Sequence, residues 1–231
     1  MEEQIMFLNT WAKRIHENAV AHGWWEKERS FAEVVSLFHS EVSEALEEYR
    51  AKRPMMYYPC NAGGVCVLEQ PERNMDCGSR IIDTEGGKIC KAKSDKPEGI
   101  AVELVDCVIR ILDFFGHEGI ADATIKDAEG VDIDSMIESG EDWCAGLNMK
   151  ADLPEVVANL HYLISLSYDA HLNADNAPAE TAVYERNGYL CAVVEYIRTW
   201  LADNGYNMEE IVLIKHEYNR TRSYRHGGKA L

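Results

Sequence analysis

The stretch GIAVELVDCVIRILDFF, beginning at Gly99, is apolar almost all round when wound as a helix. Its one polar strip is Glu103, Asp106, Arg110 and Asp113. Such a helix is buried on most sides, so the strip must face something polar. A second stretch, FHSEVSEALEEYR from Phe38, carries Glu41 and Glu44. Each acidic pair is spaced i, i+3 and shares one helix face. Val34, Val35, Phe38, Val42, Ala45 and Tyr49 form an apolar stripe, and Glu41 falls at its edge. One E-x-x-E on a helix is ordinarily a solvated face. Two on consecutive helices, both touching apolar faces, point instead to a shared cleft. Four carboxylates gathered there repel and resist ionisation unless a cation neutralises them. Hard oxygen ligands with no paired His or Cys suit Mg²⁺, or Mn²⁺, rather than zinc.

Helical periodicity continues along the chain. The spacing predicts helices over 3–22, from the Ser30 cap to about Ala51, and from near Glu98 to Gly116. Others follow over 153–171, over 182–203, and from the Asn207 cap to about Arg222. Ser30 with Glu33 makes a capping box. Short helices are expected over 120–128 and 132–139. Residues 52–97 are punctuated by Pro and Gly, and no convincing strand pattern lies outside them. The fold class expected is all-α.

An internal repeat organises these helices. FAEVVSLFHSEVSEALEEY from Phe31 aligns without a gap on LPEVVANLHYLISLSYDAH from Leu153, an offset of 122 residues. Glu33, Val34, Val35, His39 and Ser43 recur as Glu155, Val156, Val157, His161 and Ser165. The following helices align at an offset of 88, with Val105, Ile109 and Arg110 recurring as Val193, Ile197 and Arg198. In the second copy the carboxylates are gone: Glu41, Glu44, Glu103 and Asp106 become Leu163, Leu166, Cys191 and Val194. Two helix pairs make a four-helix-bundle core. The second copy, within 151–205, then serves as a degenerate half packed on a functional half. Residues 1–231 read as one domain with 52–97 inserted. Recurrence of His39 in the copy without carboxylates assigns His39 and His161 to packing or hydrogen bonding.

With 40 acidic against 23 basic residues the net charge is −17. That disfavours a broad nucleic-acid or anionic-membrane surface. No apolar run approaches the length of a membrane span. The N-terminus is acidic and amphipathic, unlike a signal peptide. Seven Cys is an odd number, and Cys107, Cys144 and Cys191 sit in helical stretches. A reduced cytoplasm is the expected location. For Cys60, Cys66, Cys77 and Cys90 two readings compete, a structural zinc and four reduced thiols; the spacing lacks C-x₂-C.

The tail concentrates basic residues in this acidic chain. Lys215, Asn219 and Arg222 are spaced i, i+4, i+7, and Arg225, His226, Gly227, Gly228 and Lys229 follow. That composition fits a phosphate clamp: Arg a planar fork, Lys a point charge, Gly allowing close backbone approach. Residues 223–231 lie past the last helix turn and are expected to be loose until substrate binds. Trp24 and Trp25 are candidates to stack on a base, against a plainer role in helix-end packing.

Glu41-x-x-Glu44, Glu103-x-x-Asp106 and Lys215-x-x-x-Asn219-x-x-Arg222 together resemble the MazG-like, all-α nucleoside triphosphate pyrophosphohydrolase superfamily. That group includes the dimeric all-α dUTPases and phosphoribosyl-ATP pyrophosphohydrolase. The resemblance covers residues 1–50, 98–120 and the last 25 residues, GWWEKERSF included. It implies Mg²⁺ on the four carboxylates and a nucleoside triphosphate whose phosphate chain meets the basic C-terminal residues, here Lys215, Arg222 and Lys229; Asn219 on the same helix face and Trp25 as a base-stacking ring complete the candidate substrate-binding set. It implies hydrolysis to a nucleoside monophosphate and pyrophosphate, with Glu41 or Glu44 activating water. It also implies a monomeric pseudo-dimer or a homo-oligomer. Two features depart from the family: the long Cys-bearing connection, and residues 117–205, which do not follow the short form. The alternative, from a different class, is a non-catalytic acidic interaction or regulatory module using the net charge.

Overall fold

The computed structural model describes residues 7–59, 65–66, 81–84, 87–90, 95–119, 143–144, 146–174 and 179–225. Six helices among them build an all-α core: α1 Phe7–Ala21, α2 Phe31–Arg50, α3 Ile100–His117, α4 Leu153–Leu172, α5 Ala179–Asp203 and α6 Met208–Arg220. The short helices expected over 120–128 and 132–139 lie outside the described residues, as do residues 1–6. Between α2 and α3 run two small antiparallel ladders. β1 Tyr58–Pro59 pairs with β2 Val65–Cys66, and β3 Ile81–Thr84 with β4 Gly87–Cys90.

Local chemistry explains the helix starts. Ser30 Oγ accepts from Glu33 N at 3.3 Å, and Ser30 N donates back to Glu33 Oε2 at 2.8 Å, so the capping box is complete. Asp152 caps α4 through Glu155 N, and Asn207 caps α6 through Glu210 N. Gly99 opens α3 with φ 117°, and a Cβ there would lie 2.6 Å from Met55 O. Only glycine fits that approach. Beside it Tyr57 and Glu98 exchange both backbone hydrogen bonds at 2.9 Å. The excursion between α2 and α3 therefore leaves and returns at one point.

α3 is the central strut. Thirteen of its 18 residues are buried, and it packs on α1, α2, α5 and α6. Leu104, Val105, Val108, Ile111, Leu112 and Phe115 are wholly inaccessible. α2 packs on α3, α4 on α5, and α2 on α4. α2 and α4 are both 20 residues long, with boundaries offset by 122. Where they meet, His39 Nδ1 and His161 Nδ1 lie 2.8 Å apart and the rings stack at 5.0 Å. Ser43 and Ser165 each return a 2.7 Å bond to the carbonyl of the preceding-turn His. No helix among the described residues is long and apolar enough to cross a membrane.

The His pair makes stability sensitive to acid. Only one Nδ1 can carry the shared proton, and a second proton sets N–H against N–H. Burial lowers both imidazoles from their ordinary value, and His161 adds repulsion at His39. Both folded values being depressed, the unfolded chain binds protons first. The pair's contribution is intact above about pH 6.5 and is lost as pH falls from there through the lowered folded values. His161→Gln should shrink the drop in urea midpoint between pH 7.5 and pH 5.5. An unchanged drop in the variant means that the pair does not sense pH.

Candidate functional site

α2 and α3 lie side by side, so their acidic faces meet. Carboxylate oxygens of Glu41, Glu44 and Glu103 all come within 4.8 Å of one another. Glu41 and Glu103 are buried at 5% and 8% exposure, whereas Glu44 stays exposed. Asp106 shares the cleft but is already engaged, by Lys215 Nζ at 2.7 Å. Three of the four carboxylates expected to converge therefore do so, and the fourth is held by a basic residue of α6.

The buried carboxyls hold protons tightly. Glu103 is pushed up to about 8, first by burial and then by Asp106, with Lys215 opposing and Glu41 and Glu44 adding. Glu41 is raised, first by burial, against Arg110. Arg110, one turn beyond Asp106 on α3, donates from Nε to Glu41 Oε1. The sequence placed Arg110 in the polar strip without giving it this partner. A cluster of hard oxygen donors withdrawn from water, with no His or Cys in it among the described residues, fits a Mg²⁺- or Mn²⁺-sized cation.

Besides Arg110 on α3 and Lys96 before it, basic residues reach the same cleft, about 220 Å³ in volume, from three further places. α6 brings Lys215 and Asn219. Arg222 reaches in from just past α6, which ends at Arg220 rather than continuing to Arg222 as the periodicity predicts. A turn bond from Arg222 N to Asn219 O keeps the side chain on the same side. Asn219 lines the cleft, and its Oδ1 is a buried acceptor with no hydrogen-bond partner. Arg29, from the loop before α2, also lines the cleft and was not singled out by the sequence. Loops carry no apolar period, so nothing in its spacing marks it.

The two tryptophans part company. Trp24 lines the cleft. Trp25 does not: its ring stacks on His117 at 3.8 Å, and Nε1 donates to Asp113 at 2.9 Å. Asp113 also holds His16 Nδ1 at 2.9 Å. Trp25 thus clamps the loop after α1 onto α3, which corrects its expected place against substrate.

The tail also differs from expectation. Residues 223–225 are docked. Arg225 N donates to His22 O at 3.1 Å, Arg225 pairs with Glu26 at 2.8 Å, and Tyr224 OH bonds Glu26. Gly23 lies under the Tyr224 ring, where a Cβ would meet Cε2 at 2.3 Å. Arg225 is therefore a tether that sets where Arg222 enters. Lys229, His226, Gly227 and Gly228 lie outside the described residues. So do Cys60 and Cys77, and the side chains of Cys66 and Cys90, so the zinc reading concerns residues beyond this description.

No protein-family model, curated protein or solved structure matches this chain.

Proposed function

We propose that this protein is a Mg²⁺-dependent nucleoside triphosphate pyrophosphohydrolase. The observation that carries the reading is one cleft with the Glu41, Glu44 and Glu103 carboxylates on one wall and Lys215, Asn219 and Arg222 on another. Acids on one wall and bases on the other complement a cation bound to a polyphosphate. Glu41, Glu44 and Glu103 would hold the cation, joined by Asp106 once Lys215 leaves it for phosphate; when bound, the cation neutralises charge growing on the leaving pyrophosphate. Lys215 and Arg222 hold non-bridging phosphate oxygens, Arg222 as a fork and Lys215 as a point charge. Asn219 lies beside them on the same wall. Glu44, exposed and not held by an arginine, orients the attacking water and takes its proton. The water oxygen joins the α-phosphorus, the α–β bridging bond breaks, and pyrophosphate departs.

The same reading makes α4–α5 a copy of α2–α3 that has lost its carboxylates. Matching helix boundaries and the contact between His39 and His161 support it. A panel of NTPs and dNTPs assayed for pyrophosphate release with Mg²⁺ tests the function. Turnover of at least one nucleotide, abolished by a chelator, is expected. Failure of every nucleotide with both Mg²⁺ and Mn²⁺, or turnover indifferent to the chelator, rejects it.

A further inference from the structure

The cleft is lined by Arg29, Lys96, Arg110, Lys215 and Arg222. Arg110 is engaged by Glu41, Lys215 by Asp106 and Lys96 by Glu98. Arg29 and Arg222 make no ion pair among the described residues. Arg29 is half-buried, with its guanidinium carbon 5.5 Å from the Trp24 ring centre and 5.7 Å from that of Trp25. Aromatic contact uses the face of a guanidinium and leaves its in-plane N–H donors available. A partly desolvated guanidinium with vacant donors in a cleft calls for an anion.

Position narrows the choice of anion. The charges nearest Arg29 include Asp113 and Arg110. Asp113 stands ten residues along α3 from Glu103, about 15 Å by helix rise. Arg29 therefore lies along the polar strip between Asp113 and Arg110, and Arg110 is itself bonded to Glu41 of the carboxylate cluster. An anion held both by Arg29 and by a cation on the carboxylates would be a chain of phosphates rather than a single one.

We propose that Arg29 is a polyphosphate-binding residue, gripping with its planar fork a phosphate of a chain that also reaches the cation on the carboxylates. This rests on the reading of the cleft as a polyphosphate site but not on catalysis. It also explains why the loop before α2 is anchored twice, by Trp25 on Asp113 and by Glu26 on Arg225.

The test is calorimetric binding of inorganic tripolyphosphate, with pyrophosphate as the shorter comparison, in Mg²⁺. Arg29→Gln should weaken tripolyphosphate at least about tenfold and pyrophosphate less. Arg29→Lys keeps the charge but loses the fork, and should weaken it severalfold. Arg50→Gln, at an exposed arginine outside the cleft, should change nothing. Wild-type tripolyphosphate affinity in Arg29→Gln overturns the proposal. Should that variant melt early, wild-type affinity in a stable Arg29→Lys overturns it equally. An equal loss in Arg50→Gln also overturns it, by reducing the effect to general charge. If binding depends on Arg29 while no nucleotide is cleaved, the anion site stands and the hydrolase reading falls. Nucleotide turnover with tripolyphosphate affinity unmoved by Arg29→Gln gives the reverse.

Discussion

Glu103→Gln is expected to lower turnover by about a hundredfold or more while making the cation-free protein more stable above neutral pH. Both effects have one cause. Glu103 is 8% exposed, beside Asp106, Glu41 and Glu44, and holds its proton up to about 8. Glutamine keeps the shape and removes the charge that a cation would balance. Cation-derived charge stabilisation is worth several kcal/mol, which at about 1.4 kcal/mol per factor of ten gives the rate loss. For stability, the folded value lies above the unfolded one. The group's contribution is complete below about pH 4.5 and drains away as pH rises through about 8. The loss at high pH is on the order of 3–5 kcal/mol. Other groups titrate in the same window, so the quantity to read is the difference between variant and wild type. Wild-type melting temperature should fall relative to the variant from pH 5 to pH 9. Mg²⁺ should restore it in the wild type by mass action. Wild-type turnover in the variant, or parallel melting curves, would remove Glu103 from the site.

What could be read from the sequence was what periodicity encodes. α2 and α3 carry long, clean apolar patterns, so their acidic faces could be placed, and the structure brings Glu41, Glu44 and Glu103 together. Two equal-length helices with a shared His could be aligned before any contact was known, and His39 does meet His161. Loops were another matter. Arg29 reaches the cleft because Trp25 bonds Asp113, a residue 88 positions away. A turn residue with no period gives no warning of such a contact. The tail looked free because its composition is that of a loose end. Residues 223–225 are docked because Glu26 and the His22 carbonyl supply partners some 200 residues upstream. Arg110 was visible as part of a strip. Its bond to Glu41 depends on how two helices are rotated about their axes, and a one-helix pattern does not fix that.

Leu163→Ala should destabilise the fold by about 2–5 kcal/mol. Leu163→Glu, which places there the residue type of the aligned position Glu41, should cost more than about 4 kcal/mol. Leu163 is 1% exposed on α4, at the position that Glu41 occupies on α2. In the first copy the buried carboxylate has Arg110 to answer it. In the second copy the arginine in that place, Arg198, is already bound by both oxygens of Glu195 at 2.8 Å. A carboxylate at 163 would therefore enter the core with its matching cation committed elsewhere. Cys191 and Val194, standing where Glu103 and Asp106 stand in the first copy, are wholly buried and offer it nothing. Leu166 is only half-buried, so Leu166→Ala should cost less than Leu163→Ala. Equilibrium urea unfolding of the three variants gives the ranking. If Leu163→Glu is tolerated as well as Leu163→Ala, the second copy is not an apolar support for the first. The carboxylate site would then have to be held in place by α1 and α6 alone.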